Sequence, residues 1–282
     1  MGRTLIISDV HLPRGRMDTG RPLEALLHQC DRLVVNGDLA ELHHPGLAAE
    51  SRRRLGELQA DAETLGTELE LLGGNHDPEI TPLRALGFAE DRIIVTHGDA
   101  FTRRIAPWSR HASLLEQAWL EAREAQGNEV ESVEDRFEAA RAAAMAEWAL
   151  ESECPTFSTP LSILVKPRAI IHILDYWRRA NRLARDFAST FFPKADFLVV
   201  GHTHRAQVSG GARPTVINTG AFQSPARPRA VVLEGDRLRV VPVRRRKGRW
   251  AAQVERTIYE VEVRGSERVS GRWGLPKRAA GD

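Results

Sequence analysis

Asp9 and His11 in Ser8-Asp9-Val10-His11, Asp38 in Asn36-Gly37-Asp38, and Asn75, His76 and Asp77 in Gly74-Asn75-His76-Asp77 all follow short apolar runs. So do His97 in Thr96-His97-Gly98-Asp99, and His202 and His204 in Gly201-His202-Thr203-His204. Such runs read as buried strands, and residues at the carboxyl ends of neighbouring strands can converge on one sheet edge. Carboxylates, imidazoles and an amide gathered there suit divalent transition metals. A two-metal hydrolase needs ions about 3.5–4 Å apart that share a carboxylate, and Asp38 is well placed to bridge. Asp9 and His11 are two residues apart, as are His202 and His204, so extended geometry would set each pair on one side of its strand. Asn75 offers a carbonyl oxygen and His97 a ring nitrogen. His76 reads as a non-ligand facing the scissile phosphate, where it would stabilise transition-state charge or protonate the leaving group. Asp77 would orient His76 through a hydrogen bond, and attack on phosphorus would be in line.

The elements that must position these residues alternate at first. Strands are predicted at Thr4 to Ile7, Leu33 to Val35, Leu69 to Leu72 and Ile93 to Val95, with helices over Leu23 to Cys30 and Leu47 to Leu65. This is the pattern of an α/β sheet covered by helices. From about Pro107 to Pro193 the pattern is helical, with stretches at Leu114 to Trp119, Val133 to Trp148 and about Pro167 to Phe187, and a break from Cys154-Pro155 to Pro160. Strands resume at Phe197 to Val200, Thr215 to Asn218, Ala230 to Leu233 and Leu238 to Val243. The expected organisation is a catalytic domain over 1–243, a helical cap inserted at 107–193, and a basic C-terminal extension at 244–282. The last part of that extension, from Gly265, is rich in Gly, Arg and Ser and is expected to be poorly ordered.

The chain has 282 residues and a formal net charge of +2, too small to imply nucleic acid by itself. Cys30 and Cys154 form no metal-type pair and no disulfide framework, which fits a reducing compartment. No n-region and long apolar stretch precede the first strand, and no run approaches the roughly 20 apolar residues of a membrane span. The expectation is a cytoplasmic protein, with peripheral contact at the inner face of a membrane left open.

The motifs, taken in order, resemble those of the calcineurin-like metallophosphoesterase family: D-x-H, G-D, G-N-H-D, H and G-H-x-H. The resemblance spans residues 1 to about 240. It implies a four-layer αββα fold with two central mixed sheets. It also implies that Asp9, His11, Asp38 and His204 hold one metal while Asp38, Asn75, His97 and His202 hold the other. Manganese is the usual ion in that family, with Fe, Zn, Mg or Co as alternatives. The Gly37-Asp38-Leu39-Ala40-Glu41 and Gly201-His202-Thr203-His204-Arg205 segments and the helical insertion are similar to the UDP-2,3-diacylglucosamine pyrophosphatase branch. That likeness implies a lipid-linked sugar nucleotide and an acyl pocket in the insertion. The branch typically has arginine where this chain has His76.

The leading expectation is a dinuclear metal-dependent phosphohydrolase acting on a phosphorylated small molecule or a lipid-linked substrate, at a phosphoester or pyrophosphate bond. A metal-dependent nuclease or nucleotide phosphodiesterase is the rival enzyme, and a non-catalytic binding scaffold the rival from another class. The apolar stripes from Phe137 to Trp148 and Ile170 to Phe187 read as the interior of the cap, or in part, with Trp177 and Phe191, as a substrate groove. Arg168, Arg178, Arg179, Arg182 and Arg185 read as a solvated face or as partners of a phosphate or anionic lipid. Arg244 to Arg249 reads as a solvated edge, or as contacts to anionic membrane or nucleic acid. Glu41 reads as a carboxylate hydrogen-bonding a metal ligand, with Asp18 near the motif loops. His43 and His44 read as surface residues beside the site.

Overall fold

Continuous apolar strands need cover on both faces, and two stacked sheets with helices outside provide it. The computed structural model describes residues 2–14, 20–107, 109, 111–153 and 167–276. Asp18, Cys154 and the break at 154–160 lie outside the described residues, as do the side chains of Arg168 and His172.

The first sheet is built from β1 (Arg3–Ile7), β2 (Arg32–Asn36) and β3 (Glu68–Leu72), all parallel, with β9 (Arg229–Glu234) antiparallel against β1. Beyond β9 lie β10 (Arg237–Arg246) and β11 (Arg249–Ala252), and β12 (Tyr259–Glu262) also pairs with β10. The second sheet runs β13 (Val269–Gly274), β4 (Leu83–Phe88), β5 (Ile93–Thr96), β6 (Phe197–Val200), β8 (Thr215–Asn218), β7 (Gln207–Ser209). Within it β5, β6 and β8 are parallel.

Strand alternation sorts the core into three shells. Ile6, Val34, Leu86, Val95, Val199, Ile217, Val231 and Val240 pack together, joining residues of both sheets. Their neighbours Leu5, Ile7, Leu33 and Val35 pack with Leu23, Leu26 and Leu27 around α1 (Glu24–Leu27) and with Leu58 and Ala62 of α2 (Ala48–Leu65). On the second sheet Ile94, Leu198, Val200 and Val216 pack with Leu115 and Trp119 of α3 (Ala112–Gln126) and Phe137, Ala140 and Ala144 of α4 (Val133–Glu153). Ala184 and Phe187 of α5 (Pro167–Phe191) complete that shell. The layers are therefore α, β, β, α. The helices expected as an inserted cap are the fourth layer itself, because their apolar stripes cover a sheet face. Among the described residues no helix is long and apolar enough to cross a membrane.

The tail departs from expectation. Past Val243, β10 continues to Arg246 and turns into β11, while β12 and β13 join the first and second sheets. Trp273 fastens β13 in place, lying over Gly87 and Gly271 and stacking edge-on with Phe192 at 4.9 Å. Strand β4 was also hidden in the sequence, since Arg84 and Gly87 interrupt its apolar run. The fully buried Phe88 sits between the sheets. Phe88→Ala is expected to cost about 3–5 kcal/mol in urea denaturation; a loss under 1 kcal/mol would contradict this packing.

Candidate metal centre

Every candidate side chain stands just past the carboxyl end of a strand: Asp9 and His11 after β1, Asp38 after β2, Asn75 after β3, His97 after β5, and His202 and His204 after β6. Asp9, His11, Asp38, His202 and His204 adopt left-handed backbone, with φ from 52° to 64°. Asp and His tolerate that region better than most residues, yet such conformations cost about 1–3 kcal/mol each and persist where the surroundings impose them. The shared side of Asp9 and His11, and of His202 and His204, therefore arises from tight turns. Extended geometry named the right neighbours by a different route.

Those turns are held by one another. The Asp9 N–H donates to Gly37 O at 3.2 Å, and the His11 N–H to Asp38 O at 2.9 Å. The Gly201 N–H donates to His97 O at 2.9 Å, and the His202 N–H to Asp9 Oδ1 at 3.0 Å. The Asn36 side-chain amide donates across the sandwich to Thr96 O at 3.0 Å and Val199 O at 3.3 Å. At Gly74 an added Cβ would collide with the Asp38 carboxylate and N–H, and at Gly37, where φ is +76°, with the His97 ring.

The ligand atoms fall into two sets that meet at Asp38 Oδ2. In the first, His11 Nε2 lies 3.2 Å from His204 Nε2 and 3.9 Å from Asp38 Oδ2, and His204 Nε2 lies 3.2 Å from Asp9 Oδ1. The ligand atoms of Asp9, His11, Asp38 and His204 lie within 4.8 Å of one another. In the second, His97 Nε2 lies 3.3 Å from both Asp38 Oδ2 and Asn75 Oδ1, and His202 Nδ1 lies 2.9 Å from Asn75 Oδ1. His204 is the most exposed of these ligands, and the rest are buried.

These residues fit a pair of cations by their hydrogen bonds. The outer nitrogen of His11 is on Glu41 Oε1 at 2.8 Å, that of His97 on Asn36 O at 2.9 Å, and that of His202 on Ile105 O at 2.8 Å. Each acceptor fixes the proton on the outer nitrogen and turns a lone pair inward, the arrangement of metal-ligating histidines. Lone pairs of nitrogen and oxygen then face each other and call for positive charge. The His97 ring reports the same demand. Burial alone would depress it, and the adjacent Asp38 carboxylate carries it up to about 10. His202 moves the other way, to about 4, through burial and the positive charge of His97.

His76 stands outside both sets, with its N–H on Asp38 Oδ1 at 2.8 Å. Its ring is oriented by Glu41 Oε2, 2.9 Å from His76 Nδ1, and not by Asp77. Asp77 is spent on backbone: its oxygens accept the N–H groups of Asp38, Leu39, Ala40 and Gly74 at 2.7–3.2 Å. It thus cross-links the turns after β2 and β3. Glu41 does more than expected, since the same buried carboxylate also holds His11 and receives Arg14 Nε at 2.9 Å. Burial alone would raise Glu41; the imidazoles of His76 and His11 outweigh it and hold the group well below the usual carboxylate range. For His76, burial acts downward and the carboxylates of Glu41 and Asp38 carry it up to about 9.

Other contributors were not legible in the sequence. The Trp148 indole N–H of α4 donates to Asn75 O at 2.9 Å, and its ring meets the His76 ring at 5.4 Å. The buried Arg84–Asp99 pair, at 2.5 Å, ties β4 to the turn that carries His97, and Arg84 also reaches Gly74 O at 3.3 Å. Asp99 and Asn36 lay inside the motifs, whereas Trp148 is far from them in sequence and carries no local signal. His44 packs against Trp148 at 6.1 Å, and neither it nor His43 joins a ligand group among the described residues. A cleft of roughly 220 Å³ opens over the centre, lined by Asp38, Asn75, His76, His202, Thr203 and His204, with Ile173 and Trp177 of α5 as its apolar wall.

Residues 3–236 match the profile of the calcineurin-like phosphoesterase superfamily domain. No curated protein matches the sequence. Among solved structures, the chain is similar to a single mutant of Vps29 from Entamoeba histolytica, at 13% identity over 92% of this chain and 98% of that one, TM-score 0.42. It is similar to Vacuolar Protein Sorting 29 from Cryptosporidium parvum, at 14% identity over 93% and 98%, TM-score 0.40. It is also similar to Yfce, a phosphoesterase from E. coli, at 15% identity over 93% and 99%, TM-score 0.41.

Asp77→Asn replaces acceptor oxygen by an N–H facing backbone donors. It is expected to destabilise the fold by about 1–3 kcal/mol in urea denaturation. A side chain acting on His76 alone would leave stability unchanged.

Proposed function

The chain belongs to the calcineurin-like phosphoesterase superfamily and is a hydrolase of phosphoester bonds, and from that premise we propose a dinuclear metal-dependent phosphohydrolase that cleaves a phosphodiester or diphosphate. The observation that carries this reading is the pair of ligand sets sharing Asp38 Oδ2, with His76 beside them on the open cleft. Asp9, His11, Asp38 and His204 would hold one ion and Asp38, Asn75, His97 and His202 the other. Two divalent ions bound there would lower the pKa of water and neutralise charge on the phosphoryl oxygens. Imidazole-rich sites suit transition ions better than Ca²⁺, and manganese is the first to test, before Fe, Zn, Mg and Co.

The protein's own share begins with His76. Its Nδ1 is engaged by Glu41, so Nε2 is left for the cleft that the ring lines. The Glu41 carboxylate on Nδ1 favours the protonated ring, which can hydrogen-bond a phosphoryl or leaving oxygen. As water oxygen bonds to phosphorus and the bond to the leaving oxygen breaks, His76 supplies the proton that oxygen takes. Glu41 keeps the donor aimed, and Trp148 restrains both the ring and the Asn75 carbonyl. Ile173 and Trp177 favour a substrate whose phosphate carries an apolar or planar substituent. For the narrower reading, a lipid-linked sugar nucleotide, acyl chains would continue along the exposed Ile171 and Leu174 of α5.

Metal analysis with hydrolysis of bis(4-nitrophenyl) phosphate tests the proposal. Chelation should abolish turnover and added Mn²⁺ should restore it; a protein that binds no divalent ion at saturation would sink it. Asp38→Ala should lose activity and both tightly bound ions. His76→Ala should lower kcat by about 100- to 10,000-fold and keep both ions; an emptied metal site would overturn its role.

A further inference from the structure

Charged residues are nearly balanced in this chain, 40 Lys and Arg against 38 Asp and Glu, and many surface arginines are paired. Arg3 meets Glu234, Arg32 meets Glu68, Arg92 meets Asp196 and Arg237 meets Glu260. Against that background one unneutralised strip stands out. Arg205, Arg227, Arg244, Arg246 and Lys247 are exposed, and among the described residues no ion pair joins any of them to an acidic group.

The fold links the backbone segments that carry these cations in succession, beginning at the metal centre. Arg205 follows the ligand His204, and its guanidinium lies over the Trp177 ring at 5.8 Å, in the wall of the cleft. The next residue, Ala206, meets Gly220, which in turn approaches the Arg227 carbonyl. The following carbonyl, Pro228 O, receives the Val243 N–H at 3.0 Å, immediately before Arg244. Arg244, Arg246 and Lys247 then form the tip of the β10–β11 hairpin.

Topology puts that tip on the catalytic edge. Strand β9 is antiparallel to β1 and begins at this edge; β10 is antiparallel to β9 and ends there. The Arg229 N–H donates to Thr219 O at 2.8 Å, and the Thr219 hydroxyl is 2.6 Å from that of Ser8, beside Asp9. Because β10 lies two strands from β1, the tip is displaced sideways by about 10 Å. Arg246 is four residues past Pro242, the partner of Arg229, which carries it about 13 Å beyond the sheet pairing.

We propose that this strip is the binding track of a single-stranded nucleic acid whose scissile phosphate lies at the metal centre. A stacking aromatic inside the cleft and cations spaced along its exit are what a single strand requires: a platform for a base, then charge for flanking phosphates. The hairpin tip carries no exposed apolar side chain to insert into a bilayer, which favours a phosphodiester backbone over a membrane. The track rests on the phosphohydrolase reading, since it gives that site a polymeric substrate.

The test compares the Mn²⁺-loaded His76→Ala protein, which keeps both ions and spares the probe from rapid cleavage, with the triple variant Arg244→Gln/Arg246→Gln/Lys247→Gln and with Arg227→Gln in the same background, each checked by thermal melting. Binding of a labelled oligothymidylate of about 20 nucleotides is followed by anisotropy between about 50 and 200 mM salt. The triple variant should bind at least 10-fold more weakly at the lower salt, and its slope of log K against log salt should fall by about 2. Arg227→Gln should lower that slope by about 0.7. Unchanged affinity and slope in both folded variants would overturn the track. So would His76→Ala protein that binds phosphatidylglycerol vesicles and not the oligonucleotide. Hydrolysis of bis(4-nitrophenyl) phosphate by the wild type is read in parallel. Its absence counts against the metal-centre reading, whereas its presence with unaltered oligonucleotide binding counts against the track alone.

Discussion

The Asp38 carboxylate is the constraint around which the catalytic edge is organised. Its Oδ2 belongs to both ligand sets, and its Oδ1 takes the His76 N–H. Its backbone carbonyl receives the His11 N–H while its own N–H rests on Asp77. A single left-handed residue therefore touches the turns after β1 and β3 through its backbone and side chain, and the ring of His97 after β5. Moving it by a fraction of an ångström would disturb every one of those contacts. Gly74 shows how tightly this is built, for nothing larger than hydrogen has room against that carboxylate. Several ligands sit in strained backbone that the turns impose on one another, which is the usual setting of such strain.

Around this point lies a frame of buried polar groups. Asn36 fastens the sheets to each other and accepts the His97 ring; Arg84 and Asp99 brace the turns that carry Asn75 and His97. Glu41 couples His11 to His76. Buried ion pairs contribute little net stability because desolvation offsets their attraction. Their contribution here is placement: each holds a loop that would otherwise be free to drift. Helix α4 adds to the frame through Trp148. The helical layer thus has two duties, covering the second sheet and restraining the loop of Asn75 and His76. Helix α5 adds a third by walling the cleft with Ile173 and Trp177.

Much of this was readable from residue order alone, because apolar runs ending in Asp, Asn or His are local patterns. Each expected strand through Val243 is present, and each expected ligand is at the sheet edge. What escaped was non-local. Arg84 made β4 look polar, yet its charge is answered by Asp99 from the next turn. The Gly- and Arg-rich tail looked unstructured, yet the second sheet had an edge for β13 to pair with and a gap over Gly87 that Trp273 fills. Asp77 looked like the partner of His76 by adjacency; backbone donors from the neighbouring turn claim it instead, leaving Glu41 to hold the ring.

The amino-acid sequence by itself determined the chemistry, since metal-ligating types at strand ends and their order along the chain are properties of composition and local pattern. It also determined the layered α/β architecture, through the alternation of strand and helix periods. Only the tertiary structure decided which carboxylate serves which histidine, how Trp148 reaches the loop of Asn75 and His76, and where the basic hairpin stands. Those depend on strand register and on the direction in which each strand meets the catalytic edge. Pairing between segments far apart in the chain sets both, and no local run of residues encodes such pairing.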